Sequence, residues 1–108
     1  MTEKQYEYIY SLYRGVVCVD KYCIKLHLED VKNEILKLSN NVAQQFIKCG
    51  KLYKEWRELH DARTLIEISD YNDIDSKLEI DKEIDKTFKK LKKEEKELIK
   101  MLPEEVLL

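Results

Sequence analysis

Apolar residues recur every three or four positions along much of this 108-residue chain, a spacing that places side chains on one face of an α-helix. The first such series is Tyr6, Tyr10, Tyr13 and Val17, with steps of 4, 3 and 4 residues. This pattern predicts a first helix that begins near Glu3 and runs to Tyr13 or beyond.

The next segment is ambiguous, because Val16, Val17 and Val19 are β-branched residues that favour strands. No partner strand is evident in the sequence, so we expect a helix here as well. A second helical pattern follows it and consists of Tyr22, Leu26, Leu28, Val31, Ile35 and Leu38. The pattern ends at the polar residues from Ser39 to Asn41, which are typical of a turn.

Two longer helical patterns fill the rest of the chain. The first consists of Val42, Phe46, Cys49, Tyr53, Trp56, Leu59 and Ile66. The second consists of Ile80, Ile84, Phe88, Leu91, Leu98 and Leu102, and Glu95 interrupts it. Turn-forming residues from Ser69 to Asp73 separate the two patterns, and Pro103 ends the second one.

These elements predict an all-α fold, an elongated antiparallel helical hairpin or bundle with a long C-terminal helix. We expect one domain over residues 1–108, with N-terminal helices in 1–38 and a hairpin formed by 42–68 and 73–102. A helix over 73–102 would be ~45 Å long at ~1.5 Å per residue, whereas a compact chain of this length has a radius of gyration near ~13 Å. The last helix therefore breaks, elongates the molecule, or pairs with another chain as in a coiled coil.

Composition and charge narrow the function classes. Two glycines and one proline are too few for folds with many tight turns, and they leave no glycine-rich phosphate loop. The 20 basic and 22 acidic residues nearly cancel, which makes nucleic acid an unlikely partner. No apolar run could span a bilayer and no signal peptide is visible, so we expect a cytoplasmic protein that does not bind membranes.

Three cysteines at irregular spacing favour free thiols in a reducing compartment. The one metal hypothesis is a zinc site of Cys18, Cys23 and His27, with Cys49 as a remote ligand, in which Cys23 and His27 share a helix face. The alternative, which we favour, is that the cysteines are small apolar core residues. Neither His27 nor His60 belongs to a catalytic motif, so we expect no enzymatic activity, no cofactor and no resident metal.

Two groups of residues are candidates for binding a partner protein. Tyr6, Tyr10 and Tyr13 either pack in the core or form a contact surface, since exposed tyrosine is a favoured hot-spot residue. Leu98 and Leu102 lie near the end of the last helix, where we expect the preceding helix to cover them poorly. Their burial would favour association, so we expect a homodimer or a partner protein docked over that end.

A lysine-rich run lies in the last helical pattern. It consists of Lys86, Lys89, Lys90, Lys92 and Lys93. Such a run can contact phosphates or an acidic partner. Acidic residues at Asp85, Glu94 and Glu95 flank it closely, so we interpret it as a solvated helix face.

Two stretches resemble the N-terminal helical domain of bacterial-type class I peptide-chain release factors. Lys51–Leu59 reads KLYKEWREL and is similar to that domain's Lys-Leu-x-Lys-Glu-Tyr-x-Glu-Leu stretch. Leu59–Ile66 and, after an acidic gap, Lys93–Pro103 resemble its long hairpin, which ends in Leu-Pro. In the family the two motifs are separated, whereas here they overlap at Leu59. The resemblance implies a ribosome-contacting module without catalytic residues of its own.

The sequence therefore supports two hypotheses about function. The first is a small non-enzymatic protein-binding helical module, by analogy with stand-alone accessory or inhibitory proteins of phages and mobile elements. The alternative is the ribosome-binding N-terminal domain of a release-factor-like translation termination protein. The codon-reading and Gly-Gly-Gln regions of that family do not occur in these 108 residues.

Overall fold

The structure is a computed structural model that describes residues 1–13, 16–19, 24–69, 74–103 and 106, with the backbone alone for 16–19, 24–27 and 69. Its elements in chain order are α1 (Glu3–Tyr13), β1 (Val16–Val19), β2 (Ile24–His27), α2 (Lys32–Leu36), α3 (Asn40–Ser69) and α4 (Ile74–Met101). Helices make up most of the described chain, and α3 and α4 pack against each other. The predicted helical fold class is therefore confirmed.

The hairpin of α3 and α4 dominates the fold and follows the predicted bounds closely. The helix predicted over 42–68 runs from Asn40 to Ser69 and continues through Gly50. The helix predicted over 73–102 runs from Ile74 to Met101. The two helices are antiparallel, as predicted, since Arg63 near the end of α3 contacts Asp81 near the start of α4, and Gln45 near the start of α3 contacts Glu94 near the end of α4.

Helix α1 begins near the predicted residue because Thr2 and Gln5 form a capping box. The Gln5 backbone N–H donates to Thr2 Oγ1 at 3.1 Å, and the Thr2 backbone N–H donates to Gln5 Oε1 at 2.9 Å. These bonds satisfy amides that have no partner within the helix. The Gln5 side-chain amide also donates to Asn40 Oδ1, which links the start of α1 to the start of α3.

The prediction of a helix at Val16–Val19 is wrong, because β1 and β2 form a two-stranded antiparallel hairpin. Val16 lies opposite His27, and Val19 lies opposite Ile24. The β-branched residues adopt the extended backbone that they prefer, and their partner comes from the segment that we assigned to a second helix. Residues 1–38 are therefore not helical throughout, and only the short α2 remains of that second helix.

One hydrophobic core lies where α1, α2, the first half of α3 and the second half of α4 meet. Its fully buried side chains include Ile9, Tyr13, Leu28, Ile35, Phe46, Cys49, Leu98 and Val106. The buried hydroxyl of Tyr6 donates to the carbonyl of Leu28 at 2.8 Å. This bond satisfies a polar atom that would otherwise be costly to bury.

The prediction that Leu98 and Leu102 are poorly covered is wrong. Both are buried, Leu98 fully so, and they belong to the same core cluster as Ile9 and Leu12 of α1. Helix α1 folds back over this end of the hairpin, and Val106 adds a further buried side chain. Leu98 and Leu102 are therefore part of the intramolecular core and provide no driving force for a dimer at that end.

The opposite end of the hairpin lacks such cover. Residues 51–68 of α3 and 74–86 of α4 extend from the core, and none of them is buried. We call these two stretches the arm. The molecule measures 51 × 22 × 21 Å with a radius of gyration of 15.8 Å, so it is elongated as predicted. In the described part of the chain, every helix is too short or too polar to cross a membrane.

Candidate functional site

The end of the arm exposes four large apolar side chains, in the last turns of α3 and the first turns of α4. The exposed fractions are 64% for Leu65, 77% for Ile68, 65% for Ile74 and 54% for Leu78. We call these four residues the apolar tip. Single exposed apolar residues are common on protein surfaces, whereas a group of them at the end of a projecting hairpin is typical of an interaction site.

Between the tip and the core, a half-buried seam holds the arm together. Ile80 and Ile84 of α4 are only half-buried. Arg63 joins the two helices, because its Nε donates to Asp81 Oδ1 at 2.9 Å and its Nη1 lies 2.8 Å from Glu67 Oε1. The hydrogen bond to Asp81 raises the pKa of the Arg63 guanidinium, which therefore stays charged in the arm.

Aromatic rings join the base of the arm to the core. The ring of Tyr53 stacks on that of the buried Tyr13, with centroids 5.5 Å apart, and lies 6.1 Å from Trp56. Trp56 packs against Phe88 of α4 at 5.9 Å and against His60 at 4.5 Å. Ring pairs of this kind add about 0.5–1.5 kcal/mol each beyond burial. The arm therefore projects from a base that is packed across both helices.

Charge is distributed unevenly along the hairpin. Residues 61–83 contain eight acidic and three basic residues, a net charge of −5. Residues 84–101 contain seven basic and four acidic residues, a net charge of +3. The apolar tip therefore lies in an acidic segment, while the part of α4 nearer the core is basic. Such a distribution orients an approaching charged partner.

A groove of about 450 Å³ lies between α3 and α4 where the arm meets the core. It is lined by Lys48, Lys51, Leu52, Lys90, Lys93 and Glu94. The four lysines are exposed and surround the half-buried Leu52, and we call this feature the lysine groove. Its rim offers ammonium groups, and its interior offers lysine stems and Leu52. The groove suits a ligand that is acidic and partly apolar.

One carboxylate in the lysine groove is already engaged. Gln45 Nε2 donates to Glu94 Oε2 at 2.9 Å, and Lys48 Nζ lies 3.4 Å from Glu94 Oε1. These contacts, the hydrogen bond from Gln45 above all, lower the pKa of Glu94. Neither Lys51 nor Lys90 has an ion-pair partner within the described part of the chain. Both ammonium groups are therefore available to an external anion.

The structure does not gather the predicted partner-binding tyrosines into one surface. Tyr6 and Tyr13 are only 5% and 2% exposed, so the core interpretation is correct for both. Tyr10 is half-buried, and its hydroxyl donates to the carboxylate of Glu29. Of the predicted partner-binding residues, Tyr10 alone keeps a partly exposed side chain.

Of the proposed zinc ligands, the structure describes the side chain of Cys49 alone. Cys23 lies outside the described residues, as do the side chains of Cys18 and His27. His27 belongs to β2, so the helical spacing from Cys23 that the hypothesis assumed is wrong. Cys49 is fully buried in α3. Among the residues that the structure describes, no group of three or more His, Cys, Asp or Glu side chains could hold a metal ion.

Burial keeps two potential nucleophiles protonated. Desolvation, with a smaller effect of the nearby Glu95, raises the pKa of the Cys49 thiol to about 12. Desolvation also raises the pKa of Tyr13 well above its usual range, and its hydroxyl donates to the Phe46 carbonyl at 3.4 Å. A buried neutral thiol is chemically inert. Cys49 and Tyr13 therefore serve the core.

Sequence reasoning missed the apolar tip because it followed only the periodic stripes. Leu65, Ile68, Ile74 and Leu78 lie outside those stripes, on both sides of the predicted loop. The sequence signal that could have indicated the tip was the presence of apolar residues outside the helical stripes on both sides of a turn. The sequence indicated only half of the lysine groove. Its α4 lysines, Lys90 and Lys93, belong to the lysine-rich run, whereas packing of the two helices brings Lys48 and Lys51 of α3 beside them.

Comparisons with known proteins return no match, since no family model, no curated protein and no solved structure matches the chain. The function is therefore inferred from the surfaces of the chain itself.

Proposed function

We propose that this chain is a non-enzymatic protein-binding module whose partner docks on the apolar tip of the arm. The observation that carries the proposal is the exposure of four large apolar side chains at the end of a hairpin whose other end holds the buried core residues Leu98 and Leu102. A small module of this kind suits an accessory or inhibitory protein that acts by occupying a surface of its target.

The apolar tip supplies binding free energy when it is covered. Fully burying an exposed Leu or Ile side chain is worth ~1.5–3 kcal/mol. Because the four tip residues are 54–77% exposed, covering all of them is worth roughly 4–8 kcal/mol. Association costs an estimated ~4–15 kcal/mol, which is similar to or larger than the gain from the tip. Charge complementarity strengthens the complex. Because residues 61–83 around the tip carry a net charge of −5, the fitting partner has an apolar surface bordered by Lys and Arg.

The shape of the arm also supports this function. Two antiparallel helices joined by Arg63 and by the aromatic base present the tip as one preformed unit. A preformed surface loses little conformational entropy on binding. Helical segments that dock apolar side chains into a partner's groove are a recurrent mode of recognition.

The test compares three forms of the chain as bait in the native host and then with the purified partner. Ile74→Asp with Leu78→Asp removes the apolar character of the tip at two exposed positions, so the core is left intact. Tyr8→Asp is the matched control, since Tyr8 is 44% exposed and lies outside the tip. We expect the control to bind as the wild type does and the double variant to bind at least ~100-fold more weakly.

Equal binding of all captured proteins to the double variant and to the wild type would contradict the proposal. Circular dichroism of each variant verifies that a loss of binding is not a loss of helix.

The release-factor resemblance supports a second candidate function, a ribosome-contacting module. Lys51–Leu59 and Leu59–Ile66 lie on α3, and Lys93–Pro103 spans the end of α4, so all the resembling segments belong to one helical hairpin. Cosedimentation with purified ribosomes tests this function. We expect the chain in the ribosomal pellet if the second function holds, and in the supernatant if the apolar tip serves another partner.

A further inference from the structure

The hairpin carries two surfaces of complementary character. The apolar tip combines exposed aliphatic side chains with an excess of carboxylates, at a net charge of −5 over residues 61–83. The lysine groove combines a half-buried leucine with four exposed lysines. Each surface therefore offers the charge and the apolar area that the other would need in a partner.

Building on the proposed function of the tip, we infer that the lysine groove binds the apolar tip of a second copy of this chain. The tip is the donor surface and the groove is the acceptor surface. A second copy suits the groove, because its apolar tip is an acidic helical segment with exposed aliphatic side chains.

The pattern of α4 fits this docking. Ile74 and Leu78 are four residues apart and share a helix face, and Asp75 and Glu79 form an adjacent row. All four are exposed. A helix with this pattern places aliphatic side chains over Leu52 while its carboxylates reach the lysines at the rim. The groove volume of about 450 Å³ lies within the ~300–1,000 Å³ typical of ligand pockets.

The docking joins two chains, because one chain cannot place its own tip in its own groove. Leu52 of the groove and Leu65 of the tip lie on the same helix, thirteen residues apart. At ~1.5 Å per residue their backbones are ~20 Å apart along the helix axis. A symmetric contact of two tips is disfavoured, because it would bring together two acidic segments.

A contact of tip to groove is heterologous, since it uses a different surface of each chain. Each bound chain still offers a free tip or a free groove, so the assembly extends as a filament unless the rotation between chains closes it into a ring. Its mean mass should rise with protein concentration. It should fall at high ionic strength, because salt screens the attraction between exposed charges.

Sedimentation velocity tests this with the wild type, a groove variant and a tip variant. The groove variant is Lys51→Glu with Lys90→Glu, and the tip variant is Ile74→Asp with Leu78→Asp. Their control is Lys4→Glu with Lys96→Glu, which makes the same charge change as the groove variant at exposed lysines outside the groove lining. We expect association of the wild type and the control, and at least a tenfold weaker association of each surface variant.

Mixing the two surface variants gives the sharpest result. The groove variant keeps an intact tip, and the tip variant keeps an intact groove, so the mixture restores one contact. We expect a one-to-one complex in the mixture that does not extend further, although each variant alone is monomeric. A symmetric dimer would give no such rescue.

A wild type that stays monomeric at high concentration and low ionic strength would overturn this inference, as would a mixture that stays monomeric. Undiminished association of both surface variants would overturn it too, since another surface would then be responsible. The proposed function is judged separately, by whether the tip variant loses a host partner that the groove variant still binds. Loss of that partner together with a monomeric wild type would leave the proposed function standing without self-association.

Discussion

Gly50 of α3 lies directly against Leu12 of α1. A β-carbon on Gly50 would be 2.8 Å from Leu12 Cδ1 and 3.1 Å from Tyr13 Cε2. Both distances are shorter than the ~3.5–4.0 Å at which carbon atoms pack favourably. Glycine in a helix interior lowers stability by about 1 kcal/mol relative to alanine. The close approach of α1 is the physical reason that this position of α3 is a glycine.

Gly50→Ala should therefore destabilise the protein although alanine favours helix. Overpacking against Leu12 costs typically ~1–3 kcal/mol, and the gain in helix propensity returns only ~1 kcal/mol. We expect a net loss of up to ~2 kcal/mol in the free energy of unfolding, measured by urea denaturation. Lys51→Ala, at the exposed neighbouring position, is the control and should be nearly neutral. Stabilisation by Gly50→Ala would show that α1 can shift freely on α3.

Tyr6→Phe should lower the stability of the protein, because it removes the hydrogen bond between α1 and Leu28, the residue that follows β2. The substitution removes the hydroxyl that donates to Leu28 at 2.8 Å and leaves a buried carbonyl without this donor. A buried unsatisfied group of this kind costs ~1–3 kcal/mol. Tyr8→Phe is the matched control, because the ring of Tyr8 is 44% exposed. Equal thermal stability of both variants would contradict the structural role of the bond.

Glu94→Gln should weaken the protein at neutral pH and have little effect in acid. The pKa of Glu94 is lowered from its ordinary value of 4.5, mainly by the hydrogen bond from Gln45. The folded state therefore gains stability above that ordinary value and loses it as the pH falls through the lowered pKa. We expect a loss of up to about 1 kcal/mol near pH ~7, because the amide oxygen still accepts from Gln45 but lacks the charge that strengthens this bond and pairs with Lys48.

Chemical denaturation of Glu94→Gln over a range of pH provides the measurement. Glu97→Gln is the control, since the contact of Glu97 with Lys100 at 3.3 Å is exposed and should contribute little. A destabilisation by Glu94→Gln that is independent of pH would indicate a loss of packing rather than of charge.

The thiol of Cys49 should resist modification in the folded protein. The side chain is fully buried, and its pKa of about 12 leaves almost no thiolate at neutral pH. In a Cys18→Ser, Cys23→Ser background, maleimide labelling of Cys49 should be slow in native buffer and rapid in urea. Mass spectrometry measures the extent of labelling with time. Complete labelling in native buffer at the rate of the urea sample would mean that this part of the core is open.

The tertiary structure, rather than periodicity, decided the N-terminal region. Val16 to Val19 favour extended backbone, but a strand is stable only with a partner. That partner, Ile24–His27, lies in a segment whose apolar spacing also fits a helix. The alternation from Ile24 to Leu28 was the local signal for the strand, and it competed with a longer helical pattern.

The hairpin was determined by the sequence itself. The apolar stripes of α3 and α4, the turn-forming residues between them and Pro103 at the end are local features, and the observed helices agree with them to within two residues. Periodicity shows which face of a helix is apolar, but not which part of that face another element covers. Leu98 is fully buried in the core cluster that includes Ile9 and Leu12 of α1, whereas Leu78 at the other end is exposed. Both leucines lie on α4, and long-range packing alone made one of them core and the other part of the candidate site.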